Sequence, residues 1–381
     1  MTRTTDSEKP PGAGSVYAEI ISECDRFARK ELRPCVLDAD LSPDPEVARG
    51  LWRKSLELDL PGLLVSESRG GAGMNPLTGA MVLDRLAMEC AGFASIFAFH
   101  YAACAAAMAA GSGNFFPSPA GATDDPIPVA ALCLPSDPED MPFAVTEKNG
   151  RRVINGSGRP MGNAGLAKTV IVFAGRNGNP GDPVAVRIDP SAAGVSTGEP
   201  LHLPGLKMNT FAALALDDVP VEDQAVLAAG DAAGKMMKAA AKAFYAFAAA
   251  MAMGCARSAL HKAKVYAGQR YQFKKMIIQH QEIQRLLGDM SLKLNMGTAG
   301  YLDLLDTERW RPLFLSPDAS LVKAFCTDAA LDVLMDAIQI HGGYGYMHEY
   351  GLEKGMRDVK VLQVLGETNP YLLVRHIADG L

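Results

Sequence analysis

The strongest constraint on the fold is a double change of texture along the chain, from helical periodicity to short β-like runs and back again. Within residues 16–40, Tyr17, Ile20, Ile21, Cys24 and Phe27 recur at three- and four-residue spacings, which puts one apolar stripe against a core. Pro34 is expected to end that helix, because proline cannot supply the next backbone donor. Residues 76–109 read as two further helices broken at Ala91-Gly92, with enough alanine for close packing. From about 126 to 225 the pattern becomes strand-like: Val129–Leu132, Arg152–Gly156, Thr169–Phe173, Pro183–Val186 and Ala213–Leu216 are runs separated by glycine, proline and asparagine turns. After Gly230 long helices return, over 232–267, 279–305, 317–339 and 370–378. The expected domains are 1–125, 126–228 and 229–381, and the only linker-like composition between the first two lies near Ser118-Pro119-Ala120-Gly121.

A chain of 381 residues, 48% hydrophobic and 21% charged, is long enough for two or three domains with real cores. Its net charge of −6 argues against a nucleic-acid partner, which would call for a concentrated basic face. The seven cysteines are scattered, with no Cys-x-x-Cys pair and no spacing suited to zinc, so they read as reduced core thiols and no metal site is expected. The first ten residues lack the apolar run of a signal peptide, and with unpaired cysteines this points to the cytoplasm. The apolar run Phe244–Ala256 is too short to cross a bilayer and reads as a buried helix, so no membrane partner is expected.

The chemistry concentrates near the carboxyl end. Gln339-Ile340-His341-Gly342-Gly343-Tyr344-Gly345-Tyr346 is followed by Met356-Arg357-Asp358-Val359-Lys360 and by Leu365-Gly366-Glu367-Thr368. Gly342 and Gly343 remove side chains where backbone can approach a phosphate, and their amides can donate to phosphate oxygens. Upstream, Arg270 can add a charge-assisted contact to the same group. Taken alone, such a glycine loop is more often a tight turn. His341 invites a proton-transfer role, since histidine as a residue type titrates near neutrality, but it reads as a structural group, and His100 as a satisfied core histidine.

These segments resemble the carboxyl-terminal signature of the acyl-CoA dehydrogenases, flavoproteins that remove an α-proton and a β-hydride from an acyl thioester. The Gly70-Gly71-Ala72-Gly73 turn, Pro204–Met208 with Asp217–Val221, and Arg270-Tyr271-Gln272-Phe273 followed by His280-Gln281 extend the resemblance along nearly the whole chain. It implies an α+β multidomain fold: an amino-terminal helical domain, a central small β domain and a carboxyl-terminal four-helix bundle. It further implies FAD as cofactor, with Arg270, Gln272, Phe273, Gln281, Gln339, Gly342, Gly343 and Thr368 as cofactor-binding residues. An acyl-CoA substrate, an electron-transferring flavoprotein as acceptor, and a homo- or hetero-oligomer with a homologue are the implied partners, because the Arg270 segment in this family reaches a neighbouring subunit's flavin.

The departures from the family pattern bear on chemistry. Family members usually read Glu-Gly-Thr where this chain has Gly366-Glu367-Thr368, and the alternative carboxylate position, counted back from Arg270, falls on Phe244. Glu367 is then the candidate base, although adjacent residues point in different directions and a one-place shift does not restore the geometry. The Asp and Arg that help hold coenzyme A in the family align with Lys242 and Tyr245, and the Trp-Ile-Thr that covers the flavin ring aligns with Pro160-Met161-Gly162. Three functions stay open: α,β-dehydrogenation of an acyl-CoA with Glu367 or another base, a non-catalytic or half-site subunit of a heteromeric dehydrogenase, and a base-independent decarboxylation. The sequence does not identify the acyl group.

Overall fold

The computed structural model describes residues 13–111, 127–135, 141–306 and 318–378. The linker-like stretch at 118–121, the loop 136–140 and the expected helix start at Pro317 lie outside the described residues. The first helices are α1 (Ala13–Phe27), α2 (Val36–Leu41), α3 (Pro45–Leu56), α4 (Pro76–Glu89) and α5 (Ala91–Ala109). Pro34 does not end the first helix as expected. Ahead of it the chain widens into a π turn at Ala28–Leu32, where the Arg33 amide donates to the Ala28 carbonyl, and it then tightens through a 3-10 turn at Arg33–Cys35 into α2. A widened and then a narrowed turn absorb the missing proline donor.

Helix α5 is buried on every side, and its rings stack along the axis: Phe93 meets Phe97 at 5.4 Å and Phe97 meets Tyr101 at 5.5 Å, both edge-on. His100, on the same helix, accepts from the Ala130 amide at Nδ1 (3.1 Å) and donates from Nε2 to the Pro61 carbonyl (2.9 Å). Burial pushes its pKa down to about 4, so it is a neutral core histidine, as read from the sequence.

Eight strands form the central sheet: β1 (Ala130–Cys133), β2 (Phe143–Lys148), β3 (Arg151–Ser157), β4 (Thr169–Arg176), β5 (Asn179–Ile188), β6 (Val195–Thr197), β7 (Leu214–Pro220) and β8 (Val226–Ala229). Their order is β6-β7-β3-β2-β4-β5-β8, with β1 and β2 lying in succession along one edge of β4, both parallel to it. The pleat divides β4 between two cores. Val170, Val172 and Ala174 fill a small apolar layer with Val184, Val186, Leu214 and Leu216, while Ile171 and Phe173 point into the main helical core.

The carboxyl-terminal part is a helical bundle built from α6 (Asp231–Gln269), α7 (Gln281–Leu305), α8 (Ala319–His341), α9 (Leu352–Val364) and the short α10 (Asn369–Ala378); a two-residue-per-strand hairpin, β9 (Tyr271–Gln272) and β10 (Lys275–Met276), precedes α7. Helices α5 and α6 are long and apolar enough to cross a bilayer, yet 94% and 78% of their most apolar windows are buried inside this fold. Helix α6 lies so close to α4 that a Cβ on Gly254 would sit 2.2 Å from the Asp84 carbonyl oxygen. Next to that contact, Arg257 grips the Asp84 carboxylate through two nitrogens (3.0 and 2.8 Å), and the Tyr301 hydroxyl donates to it at 2.7 Å. Asp84 thereby ties α4, α6 and α7 together with a buried, fully bonded charge.

Helix α9 carries the Met356–Lys360 motif, whose charged residues hold the sheet against the bundle. Asp358 accepts from Lys354 (2.6 Å) and from the Leu206 amide (2.6 Å), all within the core. Burial works against the Lys354 ammonium, but Asp358, Cys90 and Asp40 together outweigh it and the pKa rises. Arg357 pairs with Asp40 and Glu353, which together with His348 present ligand atoms within 4.8 Å of one another. A guanidinium already neutralises that acidic cluster.

Candidate active site

Two separate regions hold the residues singled out in the sequence. The first is a cleft of about 620 Å³ between the end of α6, the β9–β10 hairpin, the start of α7 and the end of α8. Arg270, Gln272, Phe273, Gln339, Gly342 and Gly343 all line it. Gln281 opens α7 next to the lining residue His280 but does not line the cleft itself, and Thr368 lies elsewhere.

The local backbone explains why these residues meet. Arg270 leaves α6 in an extended conformation, and the hairpin that follows turns on Phe273 (φ 51°) and Lys274 (φ 67°), two non-glycine residues held left-handed. Strain of that kind, on the order of 1–3 kcal/mol per residue, persists only where the surroundings over-determine it. The Phe273 side chain is 86% exposed, so the hairpin presents a large ring to solvent. Opposite, Gly342 (φ 60°) ends α8, and a Cβ on Gly342 or Gly343 would meet no atom within 4 Å. That open floor is the shape a close-approaching ligand backbone requires, and side chains would fill it. Gly345 is glycine for another reason: its Cβ would lie 2.6 Å from the Ile338 carbonyl oxygen. His341 stacks on Tyr266 at 4.3 Å, its Nδ1 is bonded to the Ala337 carbonyl, and burial lowers its pKa, so a neutral aromatic wall backs the cleft.

The second region surrounds Gly366. This residue has φ 78°, and a Cβ there would lie 3.0 Å from Tyr245 and 3.1 Å from Phe244. The two positions at which the resemblance expects a carboxylate, 366 and 244, therefore face each other directly, and an aromatic ring fills the space between them. Phe244 packs on Phe99 at 4.9 Å, and Phe99 on Phe211 at 5.8 Å. Gly162, in the segment aligned with the flavin-covering Trp-Ile-Thr, completes the set, since its Cβ would come within 2.4 Å of the Phe99 ring. Phe99 and Arg159 were not legible in the sequence. Phe99 lies in a helix apolar all round, where periodicity marks no face.

Glu367 is almost buried, at 8% exposure, and does not line the pocket against Gly366. Its Oε1 accepts from Arg159 Nη1 at 3.0 Å, reaching across to the sheet. Burial raises its pKa, and Arg159, Arg375 and Lys323 oppose that rise only in part. Its backbone is fixed as well: Lys323 Nζ, wholly buried, donates to the carbonyls of Glu367 (2.6 Å) and Gln363 (2.8 Å) and to Asn369 Oδ1 (3.0 Å). Thr368 opens α10, its hydroxyl accepting from the Tyr371 amide at 3.4 Å. The pocket against Gly366, about 230 Å³, is walled by Leu134, Met237, Ala241 and Leu372, with Lys238, Tyr245, Ser320, Arg375 and the Asp318–His376 pair among its polar groups. Burial, with Glu367 adding, pushes the Tyr245 phenol up to about 12, so it remains a neutral donor.

Residues 17–114 match the acyl-CoA dehydrogenase N-terminal domain and residues 235–381 the acyl-CoA dehydrogenase C-terminal domain. The chain belongs to the acyl-CoA dehydrogenase family. An acyl-CoA dehydrogenase of Bacillus subtilis is 29% identical over 360 residues, covering 90% of this chain and 92% of that protein. The benzylmalonyl-CoA dehydrogenase of Aromatoleum aromaticum is 29% identical over 367 residues, 91% and 93% of the two chains. Among solved structures, butyryl-CoA dehydrogenase from Megasphaera elsdenii superimposes with a TM-score of 0.81 at 25% identity, over 97% of this chain and 98% of that one. The fold is that of the family.

Proposed function

We propose that this protein is a flavin-dependent oxidoreductase of acyl thioesters, holding FAD partly through the Arg270 cleft and using Glu367 as the group that accepts the α-proton. The observation that carries the flavin assignment is the convergence of Arg270, Gln339 and the unhindered Gly342–Gly343 backbone on one cleft. A guanidinium and open backbone amides suit a diphosphate, and the neutral His341–Tyr266 stack offers an apolar wall. When bound, FAD supplies the capacity to accept the β-hydride. By family resemblance the cleft serves the flavin of a neighbouring copy or homologue, and an electron-transferring flavoprotein is the acceptor.

The chain's own residues set the terms of the proton step. Glu367 must be ionised, and its carboxylate must leave Arg159 to reach a substrate in the pocket against Gly366. Gly366, already left-handed, supplies the backbone freedom for that turn. Burial favours basicity, because it makes the carboxylate readier to take a proton; Arg159 opposes it. Tyr245, neutral and at the pocket wall, can donate to a thioester carbonyl. General-base assistance of this kind is typically worth about 10²- to 10⁴-fold.

A second reading rests on the packing of Phe244 against Gly366 and Phe99: a chain whose former base position is filled with rings can complete a partner's flavin site without turning over itself. The two readings separate on Glu367→Gln. Loss of turnover by roughly 10²-fold or more with flavin retained supports the first; a wild-type protein that binds flavin only beside a homologue supports the second.

A further inference from the structure

The first turns of α6 put Lys235, Lys238 and Lys242 three and four residues apart, on one exposed face of the helix. That spacing forms a row about 10 Å long at 1.5 Å rise per residue. Among the described residues none of the three is within ion-pair distance of a carboxylate, although Asp231 precedes Lys235 by four positions. In a chain of net charge −6, three neighbouring cations with no carboxylate partner among the described residues run against the overall balance. The row borders the pocket against Gly366: Lys238 lines it, as do Ala241 and Tyr245 on the adjoining face of the same helix. On the opposite wall, Arg375 of α10 adds positive charge, and His376 is bonded to Asp318.

What this mouth lacks decides between ligands. The start of α8 could draw a phosphate, but Asp318 already caps it, accepting from the Ser320 amide and hydroxyl. At the position where the family's coenzyme A-holding arginine is expected stands Tyr245, and at that of its aspartate, Lys242. A row of lysines on an exposed helix face is matched by a row of carboxylates on another protein.

Building on the acyl-thioester reading above, we propose that the Lys235–Lys238–Lys242 face docks an acidic carrier protein, which delivers its acyl group as a phosphopantetheine thioester into the pocket against Gly366. The carrier's carboxylates meet the lysines while the pantetheine arm runs past Lys238 towards Tyr245. Free coenzyme A thioesters, lacking that second protein, engage the pocket without the row.

The test is calorimetric titration of the full-length protein with two probes at low salt: an acidic acyl carrier protein bearing butyryl-phosphopantetheine, and butyryl-CoA. Carrier binding at least tenfold tighter than butyryl-CoA is expected, weakening steeply as salt is added. The variant Lys235→Glu, outside the pocket lining, should weaken carrier binding about fivefold and leave butyryl-CoA binding unchanged. Equal affinity for the two probes, no carrier binding, or a variant that binds the carrier as well as wild type overturns the proposal. Flavin content is read separately by absorbance, so a failed docking site and a failed flavin assignment give different results.

Discussion

Gly366→Ala tests the reading that aromatic rings have closed over the former base position. The substitution carries two costs. Holding a non-glycine residue left-handed, as φ 78° demands, costs about 1–2 kcal/mol. The new Cβ would then lie 3.0 Å from Tyr245 and 3.1 Å from Phe244, closer than carbon atoms pack comfortably. Phe244 is 2% exposed and backed by Phe99, itself resting on Phe211 and against Gly162, so the ring has nowhere to withdraw. Overpacking of that kind costs about 1–3 kcal/mol. The expected loss is therefore on the order of 2–5 kcal/mol, read as a drop in urea midpoint with circular dichroism as the probe. A double-mutant cycle isolates the Phe244 share: Phe244→Ala removes one of the two close contacts, so in that background Gly366→Ala should cost about 1 kcal/mol less, with the left-handed backbone and the Tyr245 contact remaining. A loss under about 0.5 kcal/mol in the wild-type background, or a cycle with no coupling, would refute the packing argument.

Other perturbations follow from the same geometry. Arg159→Met removes a cation that holds the Glu367 carboxyl down, so its pKa rises further and the acidic limb of the pH–rate profile moves to higher pH; an unmoved limb would mean that Glu367 does not govern it. Stability should respond only slightly, by about 1 kcal/mol or less, since the Arg159 side chain is 58% exposed. Arg270→Ala should lower flavin retained through gel filtration without changing the thermal midpoint of the apoprotein, because Arg270 lies on the exposed cleft and supports no core contact. Asp84→Asn leaves the half-buried Arg257 guanidinium and the buried Tyr301 hydroxyl without their carboxylate and should cost about 1–3 kcal/mol in chemical denaturation.

The layered fold was largely legible because it is written in local periodicity. Helix α6, expected over 232–267, spans Asp231–Gln269, and β4 begins at Thr169 as the apolar run predicted. Elements whose residues are charged because of distant partners were not legible. Helix α9 escaped notice since Glu353, Lys354, Arg357 and Asp358 look like a solvated segment; in the structure they are bonded to Asp40, Pro204 and Leu206, and Asp358 and Leu206 are 152 positions apart. Strand β2 ends in Glu147-Lys148 and pairs outward to β3, which hides its buried half, Phe143 and Val145. At the site, the Arg270–Gly343 constellation was readable because it is carried by two short motifs. The Phe99–Phe244–Gly366 contact was not, since it joins three segments that meet only through tertiary packing.

The claim on which the account turns is that this chain binds flavin by itself and uses it. The direct measurement is flavin released and quantified per chain from protein purified alone, set beside protein co-expressed with a homologous subunit. The account predicts near-stoichiometric flavin in the lone protein. Flavin that appears only in the presence of the homologue would contradict it, and would make this chain the part that completes another subunit's site.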